Sequence, residues 1–430
     1  MGFHSYLVSF WKSLTTPRDL PPQDLAPQDL APQDLPTGDR GGALRTRVAT
    51  LSLQAAFVSA TLWDFRLFDI RLFDAMALVL FGVWWLLTPE PLSGFIQRRR
   101  QYLLLFAVVA LYCVLGFLLH GHRSSLAILL LSMIGLILIG RTDWLRTVGP
   151  LLWILVGVHV CFLVVQYAVF YGAGAIIDYQ KLVGGSSRIM RAPWHMRAAG
   201  LFQEPNSFCV NIFVLSSLAV LWRPHRLFAA GAAIAMLVSE SLWGIGAALV
   251  LLLLSELRKQ PSLRRAALTF GKSVIVVAIL FNGYLIVSTA RNEQTPFTYW
   301  RIASILTDPS LRERYISNTC SAAEAAQSEE TSPAAKAMAV MFGQGLSTKY
   351  FQECLPANGV SLMLKSFGVF GVAALLAGLA MAFAGLANSG KFYVLAAVGF
   401  SMTSYPLLSY LVFWFWLPAL VQLTRRRITV

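Results

Sequence analysis

Apolar runs recur along most of this 430-residue chain, parted by short charged connectors. Crossing hydrocarbon takes about 20 residues of helix, because backbone amides in lipid must be paired and a helix pairs its own. Candidate spans are 48–62, 74–88, 102–119, 124–140, 149–171, 205–222, 226–238, 241–254, 270–289, 359–386, 391–404 and 408–422. Apolar residues make up 57% and charged residues 13%, too little polar surface for a soluble domain. The long alternating strands of a barrel are absent. The expected class is all-α, a polytopic transmembrane helical bundle of about 12 spans, with about 10 or 11 also allowed by the short runs.

Charge sets the topology. One set of connectors holds QRRRQ, RTDWLR, WRPHR, SELRKQPSLRR and a C-terminal RRR; the other holds DFRLFDIRLFD, HGHR, SE and two long loops, 172–204 and 290–358. Basic connectors on one side place both termini in the cytoplasm and the long loops outside. The domain plan is then a cytoplasmic tail at 1–47, a transmembrane domain at 48–424 and a basic end at 425–430. The tail shows no signal-peptide pattern, and its PQDL units carry a proline in every copy, which denies them a regular helix. A plain tail and a docking motif for a soluble partner are both open there. The tandem RLFDIRLFD, Arg66 to Asp74, extends a loop and the foot of the next helix. Much of the net charge of +14 lies in the cytoplasmic connectors, so no nucleic-acid partner is expected.

Three of the five cysteines, Cys113, Cys161 and Cys209, fall in apolar spans as packing residues. Cys320 and Cys354 share an external loop in an oxidising compartment, so a disulfide is expected between them. No CxxC pattern or neighbouring histidine suggests a metal, and no cofactor is expected.

Loop 172–204 carries Lys181, Arg188, Arg191 and Arg197 against Asp178 and Glu204. A basic excess outside runs against the topology rule and points to an anionic ligand; lipid phosphates are the alternative. Its end, RAAGLFQEPNSF, opens a helix at Pro205, where free N–H groups beside Arg197 suit a phosphate. Glu204 is either an inert cap or a base at a half-buried mouth. In loop 290–358, FTYWRIASIL has helical spacing with Arg301 at its polar edge, as an interfacial anchor or a ligand clamp. Asn358 and Lys365 lie two helical turns apart, on one face of the next span. A lysine there is a functional candidate, with snorkelling as its alternative. Gly368 and Gly371 allow close helix packing.

In order, RAAGLFQEPNSF, SESLWGIGAALVLLLL, a long loop ending FGQG and PANGVSLMLKSFGVFGVAAL resemble the O-antigen polymerase and ligase superfamily, the Wzy-type polysaccharide polymerases among them. The likeness covers about residues 75 to 422 and rests on motif order and topology. It implies a metal-independent glycosyltransferase of GT-C-like architecture in the bacterial inner membrane. Its donor would be a glycan on undecaprenyl pyrophosphate, and a chain-length regulator is an implied partner. By motif position Arg197 and Arg301 would act on the pyrophosphate. On the chemistry of the residues, Arg191 would join them and Glu204 would be the base; Asn206, Ser241 and Asn358 would hydrogen-bond sugars or merely cap and pack, and Lys365 would bind substrate. Ligases of the family carry histidine where this chain has Ala357, which favours polymerase over ligase or a base located elsewhere. A lipid-linked sugar flippase or transporter fits the hydropathy, but no internal repeat relates the halves.

Overall fold

The computed structural model describes residues 40–259 except 68–70, 122, 188, 190 and 193–194. It then describes scattered positions from 264 to 279, 333–345 except 344, and 359–428 except 385, 387, 402 and 404–409. These residues are helical apart from one minimal antiparallel hairpin, β1 (Arg191–Ala192) with β2 (His195–Met196). In chain order the helices are α1 (Arg40–Thr61), α2 (Leu72–Leu87), α3 (Leu92–Arg99), α4 (Leu103–His120), α5 (Arg123–Ile139), α6 (Asp143–Val148) and α7 (Leu152–Ala173). There follow α8 (Tyr179–Leu182), α9 (Pro205–Trp222), α10 (Arg226–Val238), α11 (Leu242–Lys259), α12 (Pro333–Phe342), α13 (Gly359–Phe383), α14 (Asn388–Ser401) and α15 (Leu411–Ile428).

Among the described residues four helical stretches are long and apolar enough to cross a membrane: Gly94–Leu118, Asp143–Ala173, Pro205–Trp222 and Ser366–Phe383. Shorter apolar helices cover Leu72–Leu87, Ser124–Ile139, Arg226–Val238 and Leu411–Arg425. α9 and α10 have the bounds expected from the sequence, whereas α1 starts at Arg40, ahead of the expected 48. The expected span at 270–289 lies largely outside the described residues.

α9 is the central post. Every residue from Ser207 to Leu221 is buried, and the helix packs against α7, α10, α11, α14 and α15. A helix apolar on all sides belongs in the middle of a bundle. Ser217 finds partners there: its carbonyl accepts from Tyr393 Oη at 2.8 Å and its hydroxyl from Trp416 Nε1 at 2.9 Å. Pro205 starts the helix and Arg223, extended before Pro224, stops it.

The expected connectors gather at two ends. At the basic end, the last carbonyls of α5 have no helical partner. Arg99 donates to Leu136 O and Ile137 O, each at 2.6 Å, and makes a bidentate pair with Glu90. The Gln422 amide reaches Leu138 O, Ile139 O and Arg141 O. At the opposite end, Trp63 lies 4.3 Å from Tyr410 between ring centroids, and Gln180 donates to Asp64 O.

α13 is broken at Gly368 (φ 60°, ψ −175°), a conformation only glycine takes without strain. The backbone of Gly343 sits where a Gly368 Cβ would be, and Gly345 N donates to Ser366 O at 3.0 Å. The FGQG segment thus seats in the break. Gly371 packs against Tyr112, the close approach expected of it. Gly368→Ala should cost about 1–3 kcal/mol and lower the thermal midpoint in detergent. Gly157→Ala, where a Cβ meets nothing within 4 Å, should leave that midpoint unchanged.

Candidate functional site

Between α8 and α9 the chain re-enters the bundle without helical structure, and Met196, Ala198 and Ala199 are fully buried. Such backbone needs side-chain partners. Gln166 on α7 supplies them: its Oε1 accepts from Ala199 N at 3.1 Å and Gly200 N at 2.8 Å, and its Nε2 donates to Ile177 O at 2.9 Å. Gln180 on α8 ties three segments, donating to Asp64 O and Leu201 O and accepting from Arg66 N. Tyr167 Oη donates to Val238 O at 2.6 Å and accepts from Ala198 N. Gly200 turns with φ 57°, and a Cβ there would press on Phe208.

The turn delivers the chain to α9 with Glu204 at the N-cap, extended at φ −144° and ψ 156°. Glu204 is half-buried and makes no capping hydrogen bond. Asn206 follows; its Oδ1 accepts from Ser241 Oγ at 3.0 Å, and that hydroxyl also accepts from Gly244 N. Ser241 therefore joins the first turns of α9 and α11. Arg197 is 7% exposed and lies within electrostatic reach of Cys209, one turn into α9. Arg197, Glu204, Asn206 and Ser241 thus meet around the first turns of α9.

The other expected site residues are placed less fully. Arg191 pairs with Met196 in the hairpin register, and Lys365 lies three residues before the break in α13. Arg301, Asn358, Cys320 and Cys354 fall outside the described residues. Cys113 and Cys209 are buried as expected, but Cys161 is exposed on α7. Outward-facing positions of an apolar helix carry apolar residues too, so composition could not separate the two.

Sequence reasoning missed Asp64, three residues past α1. Its carboxyl is 5% exposed; Oδ2 accepts from Gln203 N at 3.4 Å, and Ser207 hydrogen-bonds to the side chain. Burial raises its pKa from 3.8 to about 6; the nearby Glu204 charge adds to the rise, and Ser207, Arg66 and Arg71 oppose it. The tandem supplies both arginines, and Arg71 stands 5.0 Å over the Tyr410 ring. A single aspartate at the end of an apolar run reads as solvated, so only the fold shows it buried beside Glu204.

Among the described residues no group of three histidine, cysteine, aspartate or glutamate side chains is set to hold a metal. The chain matches no protein-family model, no curated protein and no solved structure.

Replacing Gln166 with leucine would orphan the buried N–H groups of Ala199 and Gly200, at about 1–3 kcal/mol each. The expected result is a lowered thermal midpoint and faster proteolysis at 174–204. An unchanged midpoint would contradict this account of the turn.

Proposed function

We propose that this protein is a polysaccharide polymerase of the bacterial inner membrane, making O-antigen, capsule or exopolysaccharide. It transfers the growing glycan from undecaprenyl pyrophosphate to a sugar hydroxyl of the next lipid-linked repeat. The supporting observation is the meeting of Arg197, Glu204, Asn206 and Ser241 around the start of α9, at the end that carries the long loops. In this reading the helices form about 12 spans in a GT-C-like bundle with both termini in the cytoplasm.

The chemistry needs little else. The acceptor oxygen attacks the anomeric carbon, and the bond from that carbon to the phosphate oxygen breaks. The electron pair leaves with the pyrophosphate, a good leaving group that needs no proton. Cationic Arg197, with Arg191 and Arg301 from the same pair of loops, stabilises the departing charge. The hydroxyl proton passes to the carboxyl group at the mouth, Glu204 in the first instance. Asn206 and Ser241 orient sugar hydroxyls, and in this reading Asn358 and Lys365 bind the substrate as well.

One observation favours a second reading. α13 is broken at Gly368, and discontinuous helices are a feature of secondary transporters as well. A deletion strain separates the cases. Single lipid-linked repeats on the outer face, with no long chains, are the result expected of a polymerase. Long chains retained on the carrier would mean ligase, and repeats trapped on the cytoplasmic face would mean flippase. In the complemented strain, Arg197→Lys or Glu204→Gln at normal protein level should cut long-chain product by about 100-fold. Full-length product from either variant would remove that residue from the mechanism.

A further inference from the structure

The carboxyl of Asp64 has no part in the scheme above, yet the fold sets it against the residues that do. We propose that Asp64 joins Glu204 as the second carboxyl of the base, so that the pair, and not Glu204 alone, takes the proton from the acceptor hydroxyl. This rests on the transferase reading of the mouth.

Four observations carry it. First, Asp64 is bound directly to the lead into α9, through Gln203 N on one side of Glu204 and Ser207 on the other. The two carboxyls therefore share one mouth and feel each other's charge. Second, among the described residues no salt bridge neutralises Asp64, although it is 5% exposed. A buried carboxyl without a direct ion pair is kept at a cost, and such groups cluster at working sites. Third, its position is fixed from outside: Gln180 holds the Asp64 carbonyl and the Arg66 amide, and Trp63 stacks near Tyr410. Fourth, Arg66 Nε and Asp74 Oδ1 beside it are buried with no hydrogen-bond partner among the described residues. Those are a donor and an acceptor left for a polar ligand such as a sugar hydroxyl or phosphate.

The groups facing Asp64 are Glu204 and Ser207 from α9, Arg66 and Arg71 from the loop, Asp74 from α2 and Tyr410 ahead of α15. Together they leave Asp64 titrating at about 6, close to the pH at which a general base is most effective. Two interacting carboxyls lose their protons in macroscopic steps that belong to the pair. Below about 6 Asp64 holds its proton and is a poor base; above it, Asp64 is ionised and accepts one. In turnover the new glycosidic C–O bond forms as the C–O bond to phosphate breaks. The hydroxyl proton goes to the pair and then to water at the mouth.

The test uses the full-length protein in proteoliposomes, with single lipid-linked repeats extracted from the deletion strain as the probe. Absence of those repeats from the strain would defeat the polymerase reading itself, before Asp64 is examined. With the wild type active, polymerisation should rise through pH 6 and level off above it. Asp64→Asn keeps the hydrogen-bond acceptor for Gln203 N; it should lower kcat by about tenfold or more, leave KM nearly unchanged and abolish the rise. Asp64→Glu should restore part of the rate and the rise. In Glu204→Gln the midpoint should move to lower pH, because the neighbouring charge that helps hold the Asp64 proton is gone. Wild-type kcat and an unshifted profile in Asp64→Asn would overturn the proposal. So would a higher KM with kcat and profile unchanged, which is the mark of a purely structural cap.

Discussion

The fold depends on one constraint: the non-helical backbone from Met196 to Glu204 lies inside an apolar bundle and cannot turn to water for its hydrogen bonds. Gln166 and Gln180, both fully buried, meet part of that need: Gln166 Oε1 accepts from Ala199 N and Gly200 N, and Gln180 Nε2 donates to Leu201 O, while their other amide atoms tie this segment to Ile177, Asp64 and Arg66. Tyr167 adds a hydroxyl that also holds the end of α10. Once these contacts are made, the turn at Gly200 has a single path, and Pro205 starts α9 where α7 and α11 pack against it. Glu204, Asn206 and Arg197 inherit their positions from that path. The site is therefore set by amides outside it, and its precision belongs to α7 and α8 as much as to α9.

The two ends of the bundle divide the work. At the basic end, Arg99, Gln422 and Trp144 close the last turn of α5, and Trp153 Nε1 donates to Arg223 O at 2.8 Å. These contacts satisfy helix termini and tie neighbouring helices. At the other end the Asp64 carboxyl is buried, and so are the single atoms Asp74 Oδ1 and Arg66 Nε of two half-buried side chains, without salt bridges among the described residues. Burial of charge without such pairing is what the proposed chemistry exploits, since fixed charges act more strongly where water is excluded.

Most of the helical plan was legible because it is written locally. Apolar runs, the proline at 205 and the proline after Arg223 give α9 its bounds, and the alternation of basic and non-basic connectors sorted the ends. The motif RAAGLFQEPNSF likewise announced that polar groups meet at an apolar helix. What stayed hidden depends on partners far along the chain. Gln180 acts on Asp64 across 116 residues and Gln203 on Asp64 across 139, and no local pattern marks either pairing. A lone glutamine in an apolar helix looks neutral until a buried turn is laid across it. Gly368 read as a packing residue, and its positive φ follows only from the FGQG segment seated against it.

The measurement that bears most directly on the central claim is stoichiometry in a reconstituted system. Purified protein in proteoliposomes would be given lipid-linked repeats, and the glycan ladder and the released undecaprenyl pyrophosphate would be quantified together. The account predicts a ladder of lipid-linked chains with one undecaprenyl pyrophosphate released for each repeat added. Repeats that cross the bilayer or stay unchanged, with no carrier released, would contradict it.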